Sequence, residues 1–322
     1  MSGTSKTGLR GPWPGPAGMI PEPEQNPADA NIINRQYLDS ILIEEHLIGA
    51  AEADLTFELF RRTYSSPIMM PAFSHLNKAS KPDRKPMQEY AQAAKDLGLV
   101  NWVGMEPDDE YRSIAAVGAD TVRIIKPFAD HDEILKQIET ARECGAVAVG
   151  IDIDHVFGEN GSYDVVDGHP MGPVTSKDLE SYIDAAGDLP FIAKGVLSAA
   201  DAEICAEAGC YGIFVSHHHG RMPFAVPPLL VLPDITDALG ENSRLKIFVD
   251  CGIDDGRDAF KALALGADAV SVGRGILPGL LSEGTAGVEK KIQKMNQELK
   301  QLMGYTGIRN LSEMTSEVLW FR

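Results

Sequence analysis

The chain has 322 residues, 44 % of them hydrophobic, enough to bury a sizeable core in one large domain or two smaller ones. Lys and Arg number 29 against 47 Asp and Glu, and the resulting formal charge of −18 argues against duplex nucleic acid or an anionic membrane as a partner, since both need basic surface. Cys144, Cys205, Cys210 and Cys251 are too few and too scattered for a disulfide framework or a paired CxxC zinc site, so free thiols and a reducing, cytoplasmic setting are expected.

Residues 1–30 carry Pro12, Pro14, Pro16, Pro21, Pro23 and Pro27 among Gly and polar residues, without the apolar run of a signal peptide, and are expected to form a flexible tail. Residues 31–65 then read as a helical and strand-like lead-in, expected to cover the floor of whatever follows. From Pro67 a rhythm sets in. Short apolar runs stand at Pro67–Ala72, Val100–Gly104, Thr121–Ile125, Val147–Asp152, Pro190–Gly195, Gly212–Ser216, Lys246–Asp250 and Ala269–Gly273. Their nearly unbroken apolar character is that of parallel strands covered on both faces. Between them, amphipathic segments such as Pro86–Leu97, Asp108–Val117, Asp130–Glu143, Ser176–Ala186, Ala199–Ala208 and Gly256–Leu265 read as helices. Four of these end in a similar phrase, AAVGAD, ARECGA, AEAGC and LALGAD, whose Gly supplies the left-handed residue that stops a helix.

Eight strands alternating with helices predict a (β/α)₈ TIM barrel with a short N-terminal extension, in one domain over residues 31–322. A doubly wound sheet with a second domain is the runner-up; no GxGxxG follows a first strand to support it.

Reactive groups of such barrels gather at the C-terminal ends of the strands. There the sequence places Asp152, Asp154 and His155 after strand four and Lys194 on strand five. Strand six runs into Ser216-His217-His218-His219-Gly220-Arg221, strand seven into Asp250-Cys251-Gly252 and strand eight into Gly273-Arg274-Gly275. Each has an ordinary reading as a solvated cap or a βα turn; their order on five successive strands is what raises the odds. Three adjacent histidines do not make a zinc site, because neighbours alternate sides and no second His/Cys cluster supplies further ligands, so no metal is expected. The glycines after strands seven and eight with Arg274 suit a phosphate, and Lys194 suits the reactive part of the same cofactor. His218 and Arg221, three residues apart, suit a general base and a carboxylate grip. Lys194, Arg221 and Arg274 are thus expected to converge in a basic pocket inside an acidic shell.

These residues resemble the FMN-dependent α-hydroxy-acid oxidases and dehydrogenases, the lactate, glycolate and mandelate oxidisers. The likeness is strongest over Pro190–Leu311, about a third of the chain, through FIAKG…GIFVSHHHGR and VDCGIDDGRDAFKALALGADAVSVGRG. It implies FMN as cofactor and oxidation of a 2-hydroxy acid or related alcohol to the 2-oxo acid. By position it gives Lys194 the charge of reduced flavin, His218 the role of base, Asp152 that of the carboxylate pairing with His218, and Arg221 the substrate carboxylate. Ser216 would contact the flavin, Asp250 the ribityl chain, and Gly252, Gly273 and Arg274 the phosphate. It also implies a homo-oligomer, with a tetramer as one form.

The departures are substantial. His217 and His219 replace the family's Asn and Gly around His218, and Asp254 replaces an Arg of the phosphate segment, with Arg257 a turn further on as a candidate substitute. Strand three reads Val122-Arg123-Ile124-Ile125 where the family has its substrate-site Tyr, and the loop after strand four is short. Arg123 and Lys126 either add cations at the mouth or face outwards; the pattern does not decide. A rewritten substrate side leaves two alternatives: an FMN-dependent isomerase, or a non-catalytic flavin- or phosphate-binding barrel.

Overall fold

The computed structural model describes residues 26–321, so the proline-rich tail expected over residues 1–30 lies outside it up to residue 25. Eight parallel strands form one sheet: β1 (Ile68–Met69), β2 (Asn101–Val103), β3 (Thr121–Ile125), β4 (Ala148–Asp152), β5 (Phe191–Val196), β6 (Gly212–Val215), β7 (Lys246–Val249) and β8 (Ala269–Ser271). From β2 to β8 each strand pairs with its sequence neighbour, and β8 returns to β1 through Val270–Ile68 and Ser271–Met69. Between β1 and β2 the ring closes just past the paired residues, where the Met70 N–H donates to the Val100 carbonyl and Phe73 bridges Val103. The sheet is a (β/α)₈ barrel.

Helices lie between the strands as the amphipathic pattern predicts. Caps fix their starts: Asp130, Ser198 and Asp255 accept from backbone N–H groups of the first turn, and Thr175 forms a reciprocal capping box with Asp178. Gly118, Gly145, Gly209 and Gly266, the glycines of the four recurring phrases, all take positive φ where the chain turns from helix to strand. The helix Pro228–Leu239 had no counterpart in the sequence reading, since Pro227, Pro228 and Pro233 mask it; two of them sit at its start, where a missing N–H breaks no helical bond. Among the described residues no helix is long and apolar enough to cross a membrane.

Two apolar layers follow from the period of two along each strand. Val122, Ile124, Ala148, Ile192, Phe214, Phe248 and Ala269 point into the barrel, while Val149, Ile151, Ala193, Ile213 and Val249 point out to the helices. Inside, Trp102, Phe214 and Phe248 meet edge-on or tilted with ring centroids 4.9–5.8 Å apart and plug the barrel. Below this plug the hairpin of Phe57–Leu59 with Arg62–Tyr64 seals the floor, Phe60 packing on Trp102 and Tyr211. The hairpin thus fulfils the lead-in's expected position. The helix Ala30–Ser40 does not: Asn31 donates to the His219 carbonyl and Asn34 to that of Cys251, which places this helix beside the opposite end, at the mouth. Its polar face carries the amide donors that these loop carbonyls accept from.

Candidate active site

The same period of two puts one further residue of each strand above the aromatic plug. One step beyond Ile124, Gly150, Ile192, Phe214 and Phe248 stand Lys126, Asp152, Lys194, Ser216 and Asp250. Gly150 keeps the rung beneath narrow, since a Cβ there would lie 2.3 Å from the Ile192 carbonyl oxygen. Lys126 therefore faces the mouth. Arg123, of opposite parity, faces the helices, bonded to Asp108 at 2.8 Å with its guanidinium over the Tyr111 ring.

At the mouth the charges interlock. Lys126 Nζ lies 2.6 Å from Asp152 Oδ2, and Lys194 Nζ lies 3.4 Å from Asp152 Oδ1 and 3.5 Å from Asp250 Oδ2. Burial pushes the Asp152 carboxyl up, but the two ammonium groups outweigh it and hold it well below the usual carboxylate range. Burial likewise opposes the charge on Lys194, and Asp152 with Asp250 keeps it firmly protonated.

His218 sits in the left-handed region (φ 43°), with its backbone N–H donating to Ser216 Oγ at 3.0 Å. Its Nδ1 is 2.8 Å from Asp154 Oδ1 and 3.9 Å from Asp152 Oδ1. The hydrogen-bonded carboxylate is therefore Asp154, whereas the sequence reading paired His218 with Asp152, which Lys126 and Lys194 engage instead. Burial raises the Asp154 carboxyl and His218 more than offsets it, so Asp154 is a carboxylate that only accepts. The proton of neutral His218 then rides on Nδ1, and Nε2 is free to act as a base. His155 stands edge-on to His218, ring centroids 6.0 Å apart, and gives its Nε2–H to Asp164 at 2.8 Å; burial holds it neutral, with its pKa down at about 4.

The other histidines of the segment diverge because β6 ends at Val215 and the chain turns through left-handed φ at His218 (43°) and His219 (64°). His217 Nδ1 accepts from the Gly220 N–H at 3.0 Å, and His219 Nδ1 accepts from Arg274. Burial first, then Arg274, lowers His219 to about 2, so it is a neutral acceptor there. Arg274 is itself lowered to about 10 by burial and has no carboxylate partner among the described residues. Arg221 is exposed and likewise makes no ion pair among them. The mouth is thus more balanced than the basic pocket expected from sequence: Lys194 is already paired, and the cations left open to an anion are Arg221 and Arg274. Arg257 is turned to Asp255 on the surface and does not stand in for the cation missing at Asp254.

The geometry leaves specific vacancies for hydrogen bonds. Ten buried side-chain polar atoms lack a hydrogen-bond partner among the described residues; Asp152 Oδ1 faces Lys194 and the His75 nitrogens lie 3.4–3.6 Å from Asp167 and Glu106, which leaves Asp154 Oδ2, His155 Nδ1 and His217 Nε2 clustered at this mouth. Buried polar atoms are normally satisfied, so this clustering marks where a polar ligand binds. A Cβ at Gly273 would meet nothing within 4 Å, leaving room beside Arg274. A half-buried guanidinium with no carboxylate partner, open space at a glycine and an orphaned imidazole donor form a donor set that suits a phosphate-bearing, polar-ringed cofactor. A divalent metal suits the mouth less: ligand atoms of Asp152, Asp154 and His218 lie within 4.8 Å of one another, but two ammonium groups already neutralise Asp152.

Comparison with known proteins agrees. Glycolate oxidase 3 of Arabidopsis thaliana is 27 % identical over 88 % of this chain and 85 % of its own length. An L-lactate oxidase of Lactobacillus jensenii is 43 % identical over a shorter stretch, 39 % of this chain and 31 % of its own. A crystal structure of mandelate oxidase superimposes with a TM-score of 0.80 at 25 % identity, covering 92 % of this chain and 91 % of that one. A related mandelate oxidase structure carries a monooxide FMN adduct. The FMN-dependent dehydrogenase family matches over residues 28–183 and 171–321, nearly the whole described chain. The chain belongs to the FMN-dependent dehydrogenase family, and FMN is its cofactor.

Proposed function

We propose that this protein oxidises a 2-hydroxy acid to the corresponding 2-oxo acid, with residues 31–322 acting as one FMN-binding domain. The carrying observation is the His218–Asp154 hydrogen bond, 2.8 Å long, which engages Nδ1 and leaves Nε2 for the substrate at a mouth that also holds Lys194. Bound FMN supplies the acceptor for the Cα hydrogen and its two bonding electrons. The chain's own work is the proton. His218 Nε2 takes it from the substrate hydroxyl, so that the C–O bond closes to a carbonyl as the Cα–H bond breaks. The imidazolium so formed keeps its Nδ1–H on the Asp154 carboxylate. Lys194 balances the negative charge that reduction places on the cofactor, and Arg221, open and unpaired, holds the substrate carboxylate. Arg274 holds the phosphate, Gly252 and Gly273 leave the backbone accessible there, and Ser216 and Asp250 line the cofactor's path. Asp152 sets the electrostatics between Lys126 and Lys194.

Glycolate, lactate and mandelate are named for the relatives; here Ile125 shares the parity of Arg123 and packs outward against the helices, while Lys126 is the β3 residue that faces the mouth. We propose a 2-hydroxy acid as substrate and a cytoplasmic homo-oligomer as the working form. Four free cysteines support the compartment, and the exposure of Met222 and Phe224 after Arg221 supports a subunit contact. The test is anaerobic. The purified protein should be yellow with FMN, and mixing with aliphatic and aromatic 2-hydroxy acids should bleach it; His218→Ala should abolish bleaching while binding FMN. A protein that takes up no flavin, or a His218→Ala variant that bleaches at the parental rate, overturns the reading.

A further inference from the structure

Two carboxylates, Asp152 and Asp154, lie on the same face of the chain leaving β4, and either could in principle serve His218. The structure shows three features that separate them. The first is Lys126, which β3 parity aims into the mouth, where it engages Asp152 at 2.6 Å while Lys194 approaches the other oxygen. The second is a break in register between β5 and β6 that falls between Lys194 and Val196, leaving Gly195 as the extra residue of a bulge with φ 97°. The third is what occupies the space so made. A Cβ at Gly195 would lie 2.3 Å from Asp154 Cγ, 2.6 Å from its Cβ and 2.7 Å from Oδ2, so only glycine at this point lets the Asp154 side chain in.

We infer that Asp154, admitted by the Gly195 bulge, is the residue that positions His218, and that Lys126 assigns this task by withdrawing Asp152 into an ion pair. The inference rests on His218 acting as the base. Its chemistry is a division of labour. A carboxylate held by two ammonium groups has little negative charge left to stabilise an imidazolium, whereas Asp154, bonded to no cation but His218, gives its full charge to the ring as the substrate proton arrives on Nε2. Asp154 touches neither substrate nor cofactor in this scheme; it acts through the imidazole, fixing its tautomer and its orientation.

The experiment compares Asp154→Asn, Asp152→Asn and Gly195→Ala in the FMN-loaded protein. Circular dichroism and FMN binding first verify folding. Nitrogen-15 NMR of the imidazoles, with the His218 signals identified by their loss in His218→Gln, reads the tautomer directly and needs no substrate. Wild type should show His218 protonated on Nδ1; Asp154→Asn and Gly195→Ala should both lose that preference, and Asp152→Asn should keep it. In anaerobic stopped flow with whichever hydroxy acid bleaches the flavin, Asp154→Asn and Gly195→Ala should reduce the limiting rate about 100-fold with substrate affinity retained, the scale of a misplaced general base. Retention of the Nδ1 tautomer and of the wild-type reduction rate in both variants would overturn the inference. So would loss of the tautomer in Asp152→Asn alone. A protein that no hydroxy acid reduces would overturn the proposed reaction, and the tautomer result would still decide the pairing.

Discussion

Asp254 stands where the resemblance implies an Arg, and its surroundings show what an acid at that position does. Its Oδ1 would lie 2.8 Å from a Cβ at Gly275, beside Arg274, and Lys291 donates to its backbone carbonyl. Burial raises its pKa to about 6; Lys291 and Arg35 oppose that rise, while Asp258 and Asp255 add to it. The sign follows directly. A carboxyl whose folded pKa is raised is neutral below that value, and stability and anion affinity are lost as pH rises through it. FMN binding should therefore weaken between about pH 5 and about pH 8, and Asp254→Asn should tighten it about tenfold at the upper end, the equivalent of one pKa unit. The second ionisation of the FMN phosphate acts equally on both proteins and cancels in the comparison. Flavin-fluorescence titrations at the two pH values decide it; equal pH slopes for the variant and wild type would remove Asp254 from the phosphate site. The strand-end residues were legible because period two and the barrel's polarity place them without coordinates. Asp154's pairing was not, because it depends on a backbone bulge at Gly195 and on a lysine from another strand.

At the scale of elements, the helix Ala30–Ser40 shows the limit of periodicity. An amphipathic pattern says that one face is buried, not at which end of a barrel. What settles its place is a set of polar contacts between residues more than 180 positions apart. Asn31 and Asn34 cap the carbonyls of His219 and Cys251, and Arg35 forms a fork with Asp258 at 2.8 and 2.9 Å while reaching the Gly252 carbonyl. Cys251 holds φ 65°, unusual for a residue with a side chain, so the turn that carries Asp250 and Gly252 needs such external support. Arg35→Ala should lower stability by about 2 kcal/mol, less than the roughly 3–5 kcal/mol of breaking a fully buried pair because Arg35 keeps some contact with solvent. It should also weaken FMN binding, since the turn loses its clamp. Urea unfolding and FMN titration measure the two effects separately; a loss of stability with unchanged FMN affinity would mean that the helix braces the barrel without positioning the cofactor turn.

For the whole molecule, the charge of −18 and the composition of the mouth pull in opposite directions over different distances. Close to the site, Arg221 and Arg274 are open to anions, while Lys126 and Lys194 are matched by Asp152 and Asp250. Farther out, an anionic ligand meets only the net negative shell. A globule of this length has a radius of gyration of roughly 20 Å. The screening length is about 30 Å at about 10 mM salt and about 8 Å at about 150 mM, so only at low salt does the repulsion reach beyond the surface. FMN carries a phosphate charge and must cross that field before it reaches Arg274. Its association rate with the flavin-free protein should therefore rise several-fold between those two salt concentrations, the reverse of electrostatic steering. Stopped-flow quenching of flavin fluorescence measures it. A rate that falls with salt would show that the cations at the mouth govern approach as well as binding, and that the acidic shell is oriented away from the entrance.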